Sequence, residues 1–336
     1  MSEPAAAILG CAGPELSRDE KDFFREADPF GFILFARNVT DPGQLRRLTG
    51  DLRASVGRDA PVLVDQEGGR VQRLRAPHWR EWLPPMDHVA RSGGAVGRSV
   101  YLRYRLIADE LRGVGIDVNC APLADIATAA THPFLRNRCF GEAAEVVMLA
   151  ARAAAEGLAD GGVLPVIKHL PGHGRAEADS HLALPRIAAP LKVLSAEDFR
   201  PFHALRDLPM AMTAHIVLDA VDRDRPATQS PGVIRLIRDE IGFDGLLMTD
   251  DLSMQALSGS LGARTAAAIA AGCDVALHCN GDRAEMGDVI AHAGRLGGAS
   301  QRRAQAALSA RREARTIDTA ALAAELEALM RGAAIV

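Results

Sequence analysis

The sequence has no strong excess of charge. Lys and Arg number 39 against 43 Asp and Glu residues in 336 positions, which gives a formal net charge of −4 at pH 7. Proteins that bind nucleic acids usually present a basic stretch or face, and none stands out here. The arginines near the C-terminus follow an alanine-rich helical pattern and are expected on a solvated helix face: Arg302, Arg303, Arg311, Arg312 and Arg315. We therefore expect no nucleic-acid partner.

Paired cysteines and long apolar runs are also missing. The five cysteines are scattered without a Cys-x-x-Cys pair, which argues against a disulfide framework and against a zinc site. No run of 18 apolar residues occurs, and Glu3 stands where a secretory signal would carry basic residues. We expect a cytoplasmic protein without membrane insertion. The sequence does not specify an oligomeric state, and a monomer is compatible with it.

Short apolar runs alternate with longer helical patterns along most of the chain. The eight predicted strands are Ala6–Cys11, Gly31–Ala36, Pro61–Val64, Asp117–Ala121, Val163–Lys168, Pro209–Thr213, Gly245–Thr249 and Asp274–His278. Helical patterns between them cover Pro42–Ser55, Arg98–Arg112, Glu142–Gly157, Pro231–Ile241 and Gly262–Ala271. Nearly continuous apolar strands separated by helices are typical of a parallel sheet that is covered on both faces.

About eight such units in one chain favour a single (β/α)₈ TIM-type barrel, with some irregular strands, over an open sheet. From about Ser300 the pattern predicts two further helices, joined near residues 316–318. No Gly/Ser-rich or Pro-rich linker divides the chain, so residues 1–336 are expected to form one domain.

Polar residues follow most of the predicted strands, at the end of the barrel where active sites lie. They are Asp65, Glu67 and Arg70 after the third strand, Asp125 and Arg136–Arg138 after the fourth, Lys168 and His169 at the fifth, His215 after the sixth, Asp250 and Asp251 after the seventh, and His278 and Asn280 at the eighth. So many polar groups at converging strand ends indicate an active site.

The densest of these segments is 168–181, which holds three of the ten histidines. Gly172 and Gly174 flank His173, so the backbone there has access to conformations closed to other residues, as in a mobile loop leaving the barrel rim. Asp179 and His181 are two residues apart, and a turn would bring the carboxylate to the imidazole. An acid in that position would make the ring an effective proton donor.

The seventh predicted strand ends abruptly in Asp250 and Asp251, which makes it the source of a candidate nucleophile. An unpaired carboxylate is costly to bury, so one acid is expected to face a pocket and the other a partner. Asp251 precedes Leu252 and could equally cap a following helix. Side-chain alternation alone does not decide between the two acids.

The segments GFILFARN, DQEGGRVQRL, KHLPGHGRAEADSH, MTAHI and GLLMTDDLSM together resemble family 3 glycoside hydrolases, and more narrowly their single-domain bacterial β-N-acetylglucosaminidases. The resemblance implies that Asp250 is the nucleophile, that His181 is the general acid/base and that Asp179 supports it. It places sugar-binding roles on Asp65, Arg73, Arg138, Lys168 and His169. Cys139 stands where the family usually has serine, which leaves Arg138 in place.

The resemblance implies a retaining exo-β-N-acetylglucosaminidase that releases terminal GlcNAc from cytoplasmic peptidoglycan turnover products, GlcNAc-anhydro-muropeptides or a related GlcNAc-containing disaccharide. A covalent glycosyl-enzyme would form on Asp250, without a metal or other cofactor. Aromatic residues make up only 4% of the chain, which fits a short pocket for one terminal sugar better than a long cleft with aromatic platforms.

Three alternatives stay open at this point. A metal-dependent barrel hydrolase could use His169, His173, His181, His215 and Asp250, although Pro171 and Gly172 break any helix that would align the first two histidines. A non-catalytic sugar-binding barrel is the second alternative, although it would not need the intact Asp179, His181 and Asp250. Finally, phosphate could replace water as the acceptor, because a histidine repels an incoming anion less than a carboxylate does.

Overall fold

The computed structural model describes residues 3–178 and 183–332, and its centre is a closed barrel of eight strands. The strands are β1 (Ala5–Leu9), β2 (Pro29–Leu34), β3 (Val62–Val64), β4 (Val118–Asn119), β5 (Leu164–Leu170), β6 (Met210–Thr213), β7 (Leu246–Asp251) and β8 (Val275–His278). Each strand pairs in parallel with its neighbours in sequence, and β1 closes the barrel against β8. The predicted barrel is confirmed.

Each predicted strand overlaps one barrel strand, because a strand covered on both faces must be apolar along its whole length. In β2 and β5 every residue is buried, including Lys168 and His169 at the end of β5. In β7 the residues up to Thr249 are buried, and only Asp250 and Asp251 are partly exposed. The buried apolar part of each strand thus ends where the polar rim begins.

Helices surround the barrel, and their ends carry the expected capping residues. They span Arg18–Ala27, Pro42–Val56, Pro85–Ser92, Val96–Arg112, Pro133–Arg136, Ala144–Asp160, Leu191–Ala196, Arg200–Ala204, Pro231–Arg235 with a π-helical continuation Leu236–Glu240, Leu261–Ala271, Arg283–Ala293, Gly298–Ser309 and Thr319–Gly332. Ser17 forms a capping box with Glu20, which satisfies two backbone N–H groups at the first helix. In the part of the chain that the structure describes, no helix is long and apolar enough to cross a membrane.

The two helices predicted after residue 300 are confirmed as Gly298–Ser309 and Thr319–Gly332. The last one packs on the helix Val96–Arg112, with Leu326 buried and an Arg98–Glu325 ion pair at the edge.

The expectation that the C-terminal arginines lie on a solvated helix face holds for Arg302 but is wrong for the other four, since Arg303 is paired and the remaining three follow the end of the helix Gly298–Ser309. Arg303 pairs with Asp244 and Asp274, and Arg311 pairs with Asp59 and with buried Asp117 at the entry to β4. Because these acids lie far away in sequence, helical periodicity could not reveal the pairs.

Candidate active site

A cavity of about 240 Å³ opens at the carboxyl ends of the barrel strands. Every predicted sugar-binding residue lines it, together with the predicted nucleophile: Asp65, Arg73, Arg138, Lys168, His169 and Asp250. These residues come from four different strands and loops, and only closure of the barrel brings them together. Asp179 and His181, the predicted acid/base pair, lie outside the described residues.

Lys168 joins two carboxylates at the floor of this pocket. Its ammonium Nζ lies 2.9 Å from Asp65 Oδ1 and 2.7 Å from Glu67 Oε1. Asp65 also accepts a 3.0 Å hydrogen bond from Arg73, whose guanidinium lies 5.1 Å from the ring of Phe35. An ammonium group has three donors, so Lys168 retains one N–H for a ligand after binding the two acids.

Glu67 is the site residue whose role the sequence did not reveal. Its side chain is fully buried, and both of its oxygens accept 2.9 Å hydrogen bonds from Arg138 in a bidentate pair. A short hairpin of Gln66–Gly68 and Val71–Gln72 turns the chain back after β3, and buried Arg103 donates to the Glu67 carbonyl. Glu67 therefore holds two pocket cations, Arg138 and Lys168, from behind the pocket wall.

The network is ionised on both sides. Burial opposes ionisation of Asp65 and Glu67, but the neighbouring cations outweigh it and hold the pKa of each carboxyl below its ordinary value. Burial likewise disfavours charged Lys168, but Asp65 and Glu67 raise the pKa of Lys168 overall. The pocket thus presents fixed charges of both signs, which suits a ligand with many hydroxyl groups.

Asp250 faces this pocket with its carboxylate, and the N–H of Asp251 donates to its Oδ1 at 2.8 Å. Burial would raise the pKa of Asp250, but the surrounding polar and cationic groups, among them this N–H group and Lys168, outweigh burial and lower it. The carboxylate is therefore ionised at neutral pH, as a nucleophile must be.

Asp251 has a different role from the helix cap considered above, and that expectation is wrong. Its carboxylate accepts hydrogen bonds from the N–H and hydroxyl of Ser253 and from the N–H of Cys279. The next helix begins only at Leu261 and is capped by Ser260. Asp251 therefore closes a turn through Ser253. Through the Cys279 N–H it also connects the end of β7 to the end of β8.

His215 contacts the backbone of Asp251, next to Asp250, and is not among the pocket-lining residues. Its Nε2 lies 3.0 Å from the Asp251 carbonyl and its Nδ1 lies 2.8 Å from Thr228 Oγ1. Burial lowers the pKa of His215, which favours the neutral ring. Since both ring nitrogens are engaged, His215 is not free to bind a metal. Among the described residues, no three His, Cys, Asp or Glu side chains form a group that could hold a metal ion.

His169 is held by Asp125, another residue whose partner the sequence did not identify. Its Nδ1 lies 2.7 Å from Asp125 Oδ2, and the Asp125 carboxylate is fully buried. Oδ1 of the same carboxylate accepts a 2.7 Å hydrogen bond from the His173 N–H. Asp125 follows β4, so the contact joins the ends of two neighbouring strands.

The beginning of the predicted mobile loop is a packed segment. The His132 N–H donates to the Ala176 carbonyl, and both His173 and Ala176 are buried. Gly172 has a φ of 137°, which L-residues rarely adopt. Gly174 has a different requirement, because a Cβ there would lie 1.8 Å from the carbonyl oxygen of Ile126. Residues 171–176 are therefore packed against neighbouring segments, and the mobility of the loop stays a prediction.

The pocket mouth adds aromatic and apolar surface. The Arg70 guanidinium stacks over the Phe134 ring at 3.5 Å, and both residues line the cavity. Cys139 is fully buried behind Arg138 and donates weakly to the Leu135 carbonyl. The cysteine therefore fills space below the pocket wall and does not contact the cavity.

The chain is similar to known glycosidases. Residues 11–309 match the glycosyl hydrolase family 3 N-terminal domain. A β-hexosaminidase of Methylococcus capsulatus is 39% identical over 279 residues, which cover 81% of this chain and 82% of that protein.

Two solved structures share the fold. A family 3 β-N-acetylglucosaminidase from Paenibacillus sp. has a TM-score of 0.87 and 29% identity, over 97% of this chain and 67% of that one. NagZ from Neisseria gonorrhoeae, in complex with N-trifluoroacetyl-D-glucosamine, has a TM-score of 0.83 and 28% identity, over 99% and 97% of the two chains. The chain therefore belongs to glycosyl hydrolase family 3, as a glycosidase of the β-hexosaminidase type.

Proposed function

We propose that the protein is a retaining exo-β-N-acetylglucosaminidase, with Asp250 as its nucleophile. The observation that carries the proposal is the position of the Asp250 carboxylate, which faces a small pocket lined by Asp65, Arg73, Lys168 and His169. These side chains offer charged donors and acceptors to the hydroxyls of one sugar, and the low pKa of Asp250 keeps the nucleophile ionised.

The reaction has two steps. In the first, an Asp250 oxygen attacks the anomeric carbon and forms a glycosyl ester, while His181 donates a proton to the departing oxygen. In the second, His181 takes a proton from a water molecule, which attacks the same carbon and releases Asp250. Two inversions give net retention of the β-configuration. Most retaining glycosidases use a second carboxylic acid here, and an imidazole supported by Asp179 replaces it in this proposal.

The proposed substrate is a GlcNAc-anhydro-muropeptide or a related disaccharide, processed in the cytoplasm by residues 1–336 acting as one catalytic domain. The pocket is small enough to favour one terminal sugar. The N-trifluoroacetyl-D-glucosamine held by the Neisseria NagZ is a sugar of the proposed kind. Packing of the C-terminal helix on the barrel supports a single unit.

Hydrolysis of an aryl β-N-acetylglucosaminide, followed by proton NMR of the first-formed sugar, tests the proposal. We expect the β-anomer of free GlcNAc to appear first and to mutarotate afterwards. An α-anomer would refute retention, and no release of GlcNAc would refute the activity. The same assay in phosphate buffer separates the two acceptors, because a phosphorylase would release GlcNAc 1-phosphate.

A further inference from the structure

Asp125 is buried beneath the pocket and accepts hydrogen bonds from three N–H groups. Its Oδ2 lies 2.7 Å from Nδ1 of His169, its Oδ1 lies 2.7 Å from the His173 backbone nitrogen, and the His169 N–H is shared between Oδ2 at 3.2 Å and Oδ1 at 3.3 Å. The side chain is completely excluded from solvent. One carboxylate therefore holds a pocket imidazole, the backbone at the end of β5 and the backbone of the following loop.

The contact between Asp125 Oδ2 and His169 Nδ1 determines where the proton of His169 lies. An ionised carboxylate only accepts hydrogen bonds, so Nδ1 of His169 must carry a hydrogen. In the uncharged ring, Nε2 then has a lone pair and no hydrogen. His169 lines the cavity, and Nδ1 is committed to Asp125. Among the described residues Nε2 is therefore the nitrogen left for a ligand, and in the uncharged ring it accepts.

We propose that Asp125 is a positioning residue that fixes His169 as a hydrogen-bond acceptor for one sugar hydroxyl. The acceptor character matters because the pocket cations Lys168, Arg73 and Arg138 are donors, and the neighbouring acceptor Asp65 is already engaged by Lys168 and Arg73. A hydroxyl that receives a hydrogen bond from one of these cations still has its own hydrogen to donate, and His169 Nε2 takes it. The sugar contact rests on the proposed function, whereas the protonation pattern of His169 does not.

Asp125→Asn reverses this pattern with little change in shape. The amide oxygen can replace Oδ1 and keep the hydrogen bond from the His173 N–H. The amide NH₂ then replaces Oδ2 and donates toward His169 Nδ1, which must become the acceptor, and the His169 N–H keeps only its 3.3 Å contact with the atom at the Oδ1 position. The hydrogen of the uncharged ring moves to Nε2, so the pocket gains a donor where the wild type has an acceptor.

Nitrogen-15 NMR of the histidine side chains tests the protonation pattern on the unliganded protein. The His169 signals are assigned by their absence from a His169→Asn spectrum. We expect hydrogen on Nδ1 in the wild type and on Nε2 in Asp125→Asn. Hydrogen on Nε2 of the wild-type ring at neutral pH, whether the ring is uncharged or doubly protonated, would overturn the proposal, and this arm holds even if the variant does not fold.

Kinetics with fluorinated substrates tests the sugar contact. The 3-, 4- and 6-hydroxyls of an aryl β-N-acetylglucosaminide are replaced singly by fluorine, which cannot donate a hydrogen bond. At one position the wild type should lose at least about tenfold more kcat/KM than Asp125→Asn does, because only the wild-type acceptor needs the hydroxyl hydrogen. Comparing the two proteins cancels the intrinsic effect of fluorine on the reaction. If the wild type and Asp125→Asn lose the same factor in kcat/KM at each of the three positions, the proposal is overturned.

Asp198→Asn is the matched control. Asp198 is a second buried carboxylate that anchors the same loop, because both of its oxygens accept from Arg175 Nε, and among the described residues it pairs with no imidazole. This variant should show the same His169 signals as the wild type and the same loss of kcat/KM on each fluorinated substrate. A change equal to that of Asp125→Asn would show that loosening the loop is sufficient and would refute the proposed role. Failure of all proteins to hydrolyse the unmodified glycoside would refute the proposed function alone, since the NMR experiment needs no turnover.

Discussion

Replacing Glu67 tests whether this buried acid holds the pocket cations Arg138 and Lys168 in place. In Glu67→Gln, the amide loses the charge that Arg138 and Lys168 share, and its NH₂ group meets another donor. Breaking a buried ion pair by changing one partner costs about 3–5 kcal/mol of folding free energy. For a chain of this size, that corresponds to a decrease in Tm of roughly 4–7 °C. Because both cations line the pocket, we also expect KM to rise.

Glu81→Gln is the matched control for this variant. Glu81 pairs with Arg75 at 2.8 Å, but its side chain is 50% exposed, whereas that of Glu67 is 0% exposed. An exposed pair contributes about 0–1 kcal/mol, so Glu81→Gln should leave stability and KM nearly unchanged. Thermal and urea unfolding with parallel kinetics measure both variants. Equal, small effects of the two substitutions would refute the reasoning.

A double variant separates stability from binding at the same site. Apolar residues of similar size can replace a buried ion pair with little loss of stability, or even a gain. Glu67→Met with Arg138→Met should therefore be more stable than Glu67→Met alone, but it should not recover activity. A double variant no more stable than the single one would show that the uncompensated Arg138 charge is not the cause of the destabilisation.

The acid limb of the stability curve gives an independent check. The folded-state pKa of Glu67 lies below its ordinary value, so the unfolded state binds this proton first. The stabilisation is therefore fully present above the unfolded pKa of about 4.3 and is lost as pH falls through the folded value. Glu67→Gln should lack this part of the loss, as unfolding measurements below pH 4.3 would show.

Four further outcomes are expected. Asp250→Asn should lower kcat by about four orders of magnitude with the fold intact by circular dichroism, whereas Asp251→Asn, which perturbs a turn, should lower it far less; the reverse order would exchange their roles. His181→Ala should lose more kcat/KM on a natural disaccharide than on a nitrophenyl glycoside, since only a poor leaving group needs its proton, and Asp179→Ala should do so more mildly; parallel losses for both substrates would argue against acid catalysis. Burial lowers the pKa of His88 to about 3, so the unfolded state binds this proton first, and stability should fall as the pH is lowered from about 6.5 to 3. His88→Asn should reduce the slope of stability against pH in this range by about 1.4 kcal/mol per pH unit, and an unchanged slope would contradict the lowered pKa. Exhaustive chelation should leave the rate unchanged, and a loss that zinc restores would revive a metal-dependent reaction.

The barrel and the location of the site could be predicted from the sequence because both depend on local patterns. A strand covered on two faces must be apolar throughout, so all eight strands were visible as short apolar runs. Polar residues directly after such runs must lie at the rim, which placed Lys168, His169 and Asp250 in one region before any contact was known. The motif resemblance then distinguished the roles of Asp250 and Asp251, which periodicity had left open.

Only the tertiary structure decided how the buried charges are paired. Glu67 and Arg138 are 71 residues apart, and Lys168 is 103 residues from Asp65, so no local pattern links them. The acid Asp125 lay in view after its strand, but its partner His169 became evident only when β4 and β5 were adjacent. Burying a charge is unfavourable unless a partner arrives from elsewhere in the fold, and closure of the barrel selects that partner. Local sequence therefore determined the strands and the rim, whereas the closed barrel determined which acid holds which cation.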